Sequence, residues 1–157
     1  MRLSSPAFRD GGDISRIYSC EGENISPAIE WSEIPIAAES LVLIMNDPGA
    51  PRPGGFYHWL LYNLAPDCPG APTAVPAAAF VKDLGMQGRN SEGNLGYTGP
   101  CPSQGQHRYF FRLYAMTCEL MLEPGADYPH LAEAMEGHIL ATAELMGCYA
   151  KTEQQAA

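Results

Sequence analysis

The chain has 157 residues, 46% of them hydrophobic and 17% charged, which suits one domain over 1–157 with a packed core and is too short for two of typical size. Nine Lys and Arg against 18 Asp and Glu give a net charge of -9, a field that opposes phosphate backbones and anionic bilayers and argues against nucleic acid as a partner. With that hydrophobic content, the 16 Gly and 14 Pro read as turns and not as disorder.

No apolar stretch follows Met1 and Arg2, and the run Leu41–Met45 is far below membrane-spanning length. The expectation is a soluble, cytoplasmic protein with no integral membrane contact. Asn24-Ile25-Ser26 has the form of a glycosylation sequon; without a secretory signal, and with Pro27 beside it, it is read as accidental.

In chain order, Ser15–Cys20 reads as extended, Glu21–Asn24 as a turn, and Ala28–Trp31 as a strand. Ser40–Asn46 is a continuous apolar run of strand length, expected to be buried on both faces. Asp47 ends it, held extended by Pro48. Tyr57–Leu64 is a second apolar strand, expected beside the first, so that Asp47 and His58 meet at one end of the sheet.

From Ala65 to Gln106 there is no clean periodicity, and Gly and Pro crowd its later part. That points to long ordered loops wrapped on the sheet. The clearest strand is His107–Met116, whose alternation puts His107, Tyr109, Phe111, Leu113 and Ala115 on one face. Leu131, Ala134, Met135, His138, Thr142, Leu145 and Met146 recur at helical spacing, with Gly147 at the C-cap position. The expectation is one amphipathic C-terminal helix with His138 as a structural residue on its apolar face. No period suggests internal repeats.

Five cysteines without a CxxC pair argue against a zinc cluster or a thioredoxin-type centre. Cys20 and Cys101 both lie in turn-rich segments and could be neighbours. A reducing cytoplasm opposes a bridge, so free thiols are expected.

Asp47, His58 and His107 sit at strand edges and admit three readings. In the first, the imidazoles and loop N–H groups bind a phosphate-like anion, with Tyr109 donating a further hydrogen bond and Asp47 orienting a histidine or accepting from a protonated phosphate oxygen. The second is a metal-dependent enzyme, since two histidines and a carboxylate are an iron ligand set, although a close His-x-Asp pair is missing. The third is a hydrolase with Ser103 or Cys101 as nucleophile, His107 as base and Asp47 as orienter, although no GxSxG elbow exists. Each residue also has a plain role open to it: His58 as a satisfied core histidine, Asp47 as the cap of a turn.

The strings SPAIEW, DPGAP, HWLLYNL, GYTGPCPSQGQHRYFFRLYAM and GHILATAEL, spread from about Phe8 to Tyr149, resemble the phosphatidylethanolamine-binding protein (PEBP) family in its short bacterial and archaeal, Raf-kinase-inhibitor-like branch. The resemblance implies a mainly β, Greek-key sandwich with one helix near the C-terminus. It implies a noncatalytic pocket for phosphate or a phosphorylated headgroup, needing no cofactor and lined by Asp47, Pro51, His58, Gly99, His107 and Tyr109, with Trp31 as a candidate wall. It also implies regulation or inhibition of a protein kinase or protease, and a homodimer. Two departures stand out: Gly49 replaces the family's second acid in DPDAP, and Ser103 replaces a proline of GPxPP. The chain ends soon after the expected helix, which implies a pocket more open than in longer members, or one covered by a partner subunit.

Overall fold

The computed structural model describes residues 1–151; residues 152–157 of the expected domain lie outside them. Nine strands form among the described residues: β1 (Arg2–Ser4), β2 (Ile29–Ser32), β3 (Ser40–Asp47), β4 (Phe56–Leu64), β5 (Gly70–Ala71), β6 (Phe80–Val81), β7 (Gly85–Gln87), β8 (Gln106–Met116) and β9 (Ile139–Ala150). One helix, α1 (Tyr128–Met135), accompanies them. The strands make a three-stranded sheet in the order β1-β2-β5 and a six-stranded sheet in the order β6-β7-β4-β3-β8-β9. This is the mainly β, two-sheet fold with a single helix that the sequence leads one to expect.

The six-stranded sheet is covered on both faces. Leu41, Leu43 and Met45 of β3 pack with Trp59, Phe111 and Leu113 against Ile29 and Trp31 of the small sheet. Val42, Ile44, Leu60 and Tyr62 point the other way, against Leu131 and Met135 of α1. Every residue of β3 is therefore buried, and this explains why its sequence is a continuous apolar run without alternation. Trp31 belongs to this core, 5% exposed and donating its indole N–H to the Cys68 carbonyl; it is not a wall of the cavity described below.

β3 and β4 are antiparallel neighbours, with two irregularities that matter. Near one end, Leu41 faces Leu64 and Leu43 faces Leu61, and Asn63 takes a φ of 52°. Its amide then bonds both the N–H and the C=O of Leu120, tying down the loop that leads to α1. Near the other end, Met45 faces Trp59 but Asn46 faces Tyr57, so His58 is the extra residue of a bulge. Tyr57 stacks on Tyr128 of α1, while His58 and Trp59 both turn to the opposite face.

Three sequence expectations fail. Arg16–Tyr18 is a 3-10 turn and not a strand, because Ser19 Oγ and the Ser19 N–H both close back on the Arg16 carbonyl. The helix ends at Met135, since Gly137 has a φ of 81° and cannot continue it. Ile139–Ala150, expected as the rest of that helix, is the edge strand β9, paired with β8 along its whole length. The apolar positions of 139–150 satisfy a helical period, but they also alternate, and Leu145, Gly147 and Tyr149 are buried in turn. The unpaired N–H and C=O groups of β8 decide between the two. His138 consequently leaves the apolar helix face: it is exposed in the turn before β9, its Nδ1 3.3 Å from Thr117 Oγ1. Gly147 sits inside β9, where a Cβ would meet Ile14 at 2.6 Å.

The segment Ala65–Gln106 is ordered along the sheet as expected, with the short strands β5, β6 and β7 inside it. No helix among the described residues is long and apolar enough to cross a membrane.

Candidate functional site

Asp47 is the last residue of β3, and its carboxylate serves two partners. Oδ1 accepts the Gly49 N–H at 2.9 Å, closing the turn into the β3–β4 loop. Oδ2 accepts from Nδ1 of His107, near the start of β8, at 2.5 Å. The turn-capping role and the histidine-orienting role thus fall on the two oxygens of one side chain. Gly49 lies beside it, with its Cβ position 3.4 Å from Asp47 Oδ1, so an acid here would place a second carboxylate against the first.

His58 enters from the β4 bulge. Its Nδ1 stands 2.7 Å from the Thr98 carbonyl oxygen, and its ring meets Tyr109 edge-on at 5.2 Å between centroids. Burial lowers its pKa to about 4, the Thr98 carbonyl opposing that shift only in part. At neutral pH it is an uncharged imidazole and not the cationic anion-binder that two protonatable histidines suggest. Tyr109, two residues after His107 on the same face of β8, has its phenol pushed well above the ordinary range by burial and by the charge of Asp47. It therefore keeps its hydrogen.

Gly99 is held by a contact over a long sequence distance. Its N–H donates to Asn24 Oδ1 at 2.7 Å, and a Cβ would fall 2.0 Å from the Tyr18 carbonyl oxygen. Only glycine fits. Cys20 and Cys101 beside it form a disulfide, and the Cys20 N–H bonds the Pro100 carbonyl. This corrects the expectation of free thiols for that pair and removes Cys101 as a nucleophile. Cys68, Cys118 and Cys148 remain free.

Asp47, Pro51, His58, Gly99, His107 and Tyr109 all line one cavity of about 410 Å³. The sequence reading missed Arg52, Phe56 and Glu92, which also line it. Phe56 carries the only local signal, as an aromatic two residues from His58 on a strand; the rings are 4.5 Å apart. Among the described residues, no three His, Cys, Asp or Glu side chains are grouped to hold a metal ion. The imidazole edge that a metal at His107 would use on the Nδ1 side is already taken by Asp47.

Residues 4–150 match the model of the phosphatidylethanolamine-binding protein family. The chain belongs to that family. It is 50% identical to a UPF0098 protein of Methanothermobacter thermautotrophicus over 149 residues, 95% of this chain and 98% of the relative. A UPF0098 protein of Chlamydia trachomatis is 43% identical, over 96% of this chain and 99% of the relative. In structure, the chain is similar to a PEBP homolog of Chlamydia trachomatis with a TM-score of 0.87 and 42% identity, covering 96% of this chain and 97% of that one. Escherichia coli YbcL has the same fold, with a TM-score of 0.87 at 24% identity over 96% of this chain and 98% of its own.

Proposed function

We propose that this PEBP-family chain is a noncatalytic binding protein whose cavity takes a phosphate group, free or on a small headgroup, and that it regulates or inhibits a protein kinase or protease. One observation carries the reading. A histidine hydrogen-bonded to a carboxylate, a neutral histidine, a protonated phenol and a glycine-bearing loop converge on one cavity in an acidic chain. The family's description supports a lipid headgroup as one source of the phosphate; inorganic phosphate offers the same chemistry. Partner regulation rests on the family alone, as does a homodimer, and neither needs a cofactor.

A thermal-shift titration with phosphate and phosphoethanolamine, with sulfate as salt control, tests the pocket. Ligand at ten times its dissociation constant adds roughly 1.4 kcal/mol, about 3 to 6 °C for this size of domain. The shift is expected in wild type and not in His107→Ala; equal shifts in both would mean general salt exclusion.

A cytoplasmic location is proposed alongside, and the bridge supplies its check. Both of its cysteines are exposed, so a reducing compartment would open it. Alkylation followed by mass spectrometry of protein taken from cells should find Cys20 and Cys101 labelled; protection of both would place the chain in an oxidising compartment.

A further inference from the structure

Gly99, Cys101, Pro102 and Ser103 belong to one segment and all line the cavity. The same segment holds two side chains of the site. The His58 ring has backbone partners at both Thr98 and Gly99, with the Thr98 carbonyl oxygen 2.7 Å from Nδ1. The Cys101 N–H donates to the Tyr109 hydroxyl. A shift of this segment would therefore move the cavity wall and the polar groups of His58 and Tyr109 together.

The segment is clamped from the N-terminal part of the chain. Tyr97 donates its hydroxyl to the Tyr18 carbonyl at 2.6 Å, Asn24 Oδ1 accepts the Gly99 N–H, and the Cys20 N–H meets the Pro100 carbonyl at 3.1 Å. Tyr18, Cys20 and Asn24 stand outside the cavity lining. The Cys20–Cys101 bridge is the covalent member of this clamp, and its Cys101 end is part of the lining. Both cysteines are exposed, so a thiolate from solvent can reach the sulfurs. It is the only disulfide among the described residues.

We propose that this bridge is a redox gate on the cavity: joined, it fixes the 98–103 segment in the shape that binds a phosphate group, and reduced, it lets the segment slacken and the affinity fall. Two small thiols of the glutathione type supply the electrons. The first, as thiolate, attacks one sulfur of the bridge, forms a mixed disulfide and releases the other cysteine; the second attacks the mixed disulfide and frees the remaining cysteine. Two protein thiols and one small disulfide result, two electrons and two protons having passed to the protein. A ligand then has to order the slack segment as it binds, which weakens binding without removing any contact. The three hydrogen bonds of the clamp keep the two thiols near each other, so oxidation restores the tight form. The inference rests on the phosphate reading above and adds a control to it. In a reducing compartment the chain would hold the weaker-binding form, and an oxidising challenge would tighten the pocket.

Calorimetric titration with phosphoethanolamine tests it, run on wild type and Cys20→Ser, each with and without dithiothreitol, an uncharged dithiol that does not compete as an anion. Oxidised wild type should bind about fivefold more tightly than reduced wild type, or better. Cys20→Ser should match reduced wild type in both conditions. Linkage requires the converse as well: saturating phosphoethanolamine should make the bridge harder to reduce in a glutathione buffer, by the same factor. Hydrogen exchange locates the change, since reduction should loosen the amides of 97–103 and leave β3 protected.

Equal affinity of the oxidised and reduced protein would overturn the gate and leave the phosphate pocket standing. Binding by neither form would remove the pocket reading and the gate with it. A loss on adding dithiothreitol that Cys20→Ser shares in full would belong to the reagent and not to the bridge, and would also overturn the inference. So would a reduced protein whose β3 amides exchange as freely as those of 97–103, because the bridge would then support the whole fold and not the cavity.

Discussion

The chain contains the same pair of side chains twice. His107 Nδ1 and Asp47 Oδ2 stand 2.5 Å apart, and so do His130 Nδ1 and Asp127 Oδ1. In the first pair the side chains are 18% and 5% exposed; in the second, 70% and 52%. The second joins two residues of one helix turn, where Asp127 is the N-cap of α1 and accepts the His130 N–H. The first joins the end of β3 to the start of β8 across 60 residues of sequence. Distance alone does not distinguish a site from a surface contact. What does is the removal of water, together with what else faces the pair.

Titration should separate the two regions most strongly. His58 at the cavity has a folded pKa of about 4 against 6.5 for an ordinary histidine. Between those values the unfolded chain binds a proton that the folded chain refuses, so stability rises with pH. Acidification from neutral through that window should remove about 3 kcal/mol. At the surface the sign is reversed: Asp127 raises the pKa of His130, and the small gain fades as pH rises through it. Urea midpoints between about pH 4.5 and 6.5 should show an acid-side slope that shrinks in His58→Gln. An unchanged slope in that variant would assign it to other groups.

Asp47→Ala comes next. It strips His107 of its partner and leaves the Gly49 N–H unpaired. A loss of about 2 kcal/mol is expected, together with loss of anion binding. A smaller effect follows from Asp127→Ala, about 1 kcal/mol, arising from the lost N-cap and not from the exposed ion pair. Replacing Asp127 with Asn, which caps equally well without charge, should recover most of it in denaturation experiments. Failure to recover would mean that the surface pair matters more than its exposure allows.

The parts of the molecule visible in the sequence are those fixed by local pattern. β3 and β4 show as apolar runs because both faces of the large sheet are covered, and β8 shows as alternation that sets His107 and Tyr109 on one face. Asp47 and His58 then meet because a single loop joins their strands. β9 stayed hidden, since its apolar positions fit two periods and the deciding signal was Gly137 and not Gly147. The bulge at His58, the grip of Asn24 on Gly99 and the Cys20–Cys101 bridge depend on residues brought from afar. No local spacing encodes them. The neutral state of His58 belongs with these, because it is set by burial that exists only after the sheets pack.

The Cys20–Cys101 bridge spans 81 residues and turns β2 through β7 into a closed covalent loop, with β8 and β9 as a tail. Asp47, Pro51, His58 and Gly99 ride on the loop; His107 and Tyr109 ride on the tail. A protease that cuts any one peptide bond inside the loop releases nothing. The nicked molecule runs as one species until thiol is added and then as two, with Asp47 and His107 kept in one covalent piece through the bridge for as long as the sulfurs stay joined.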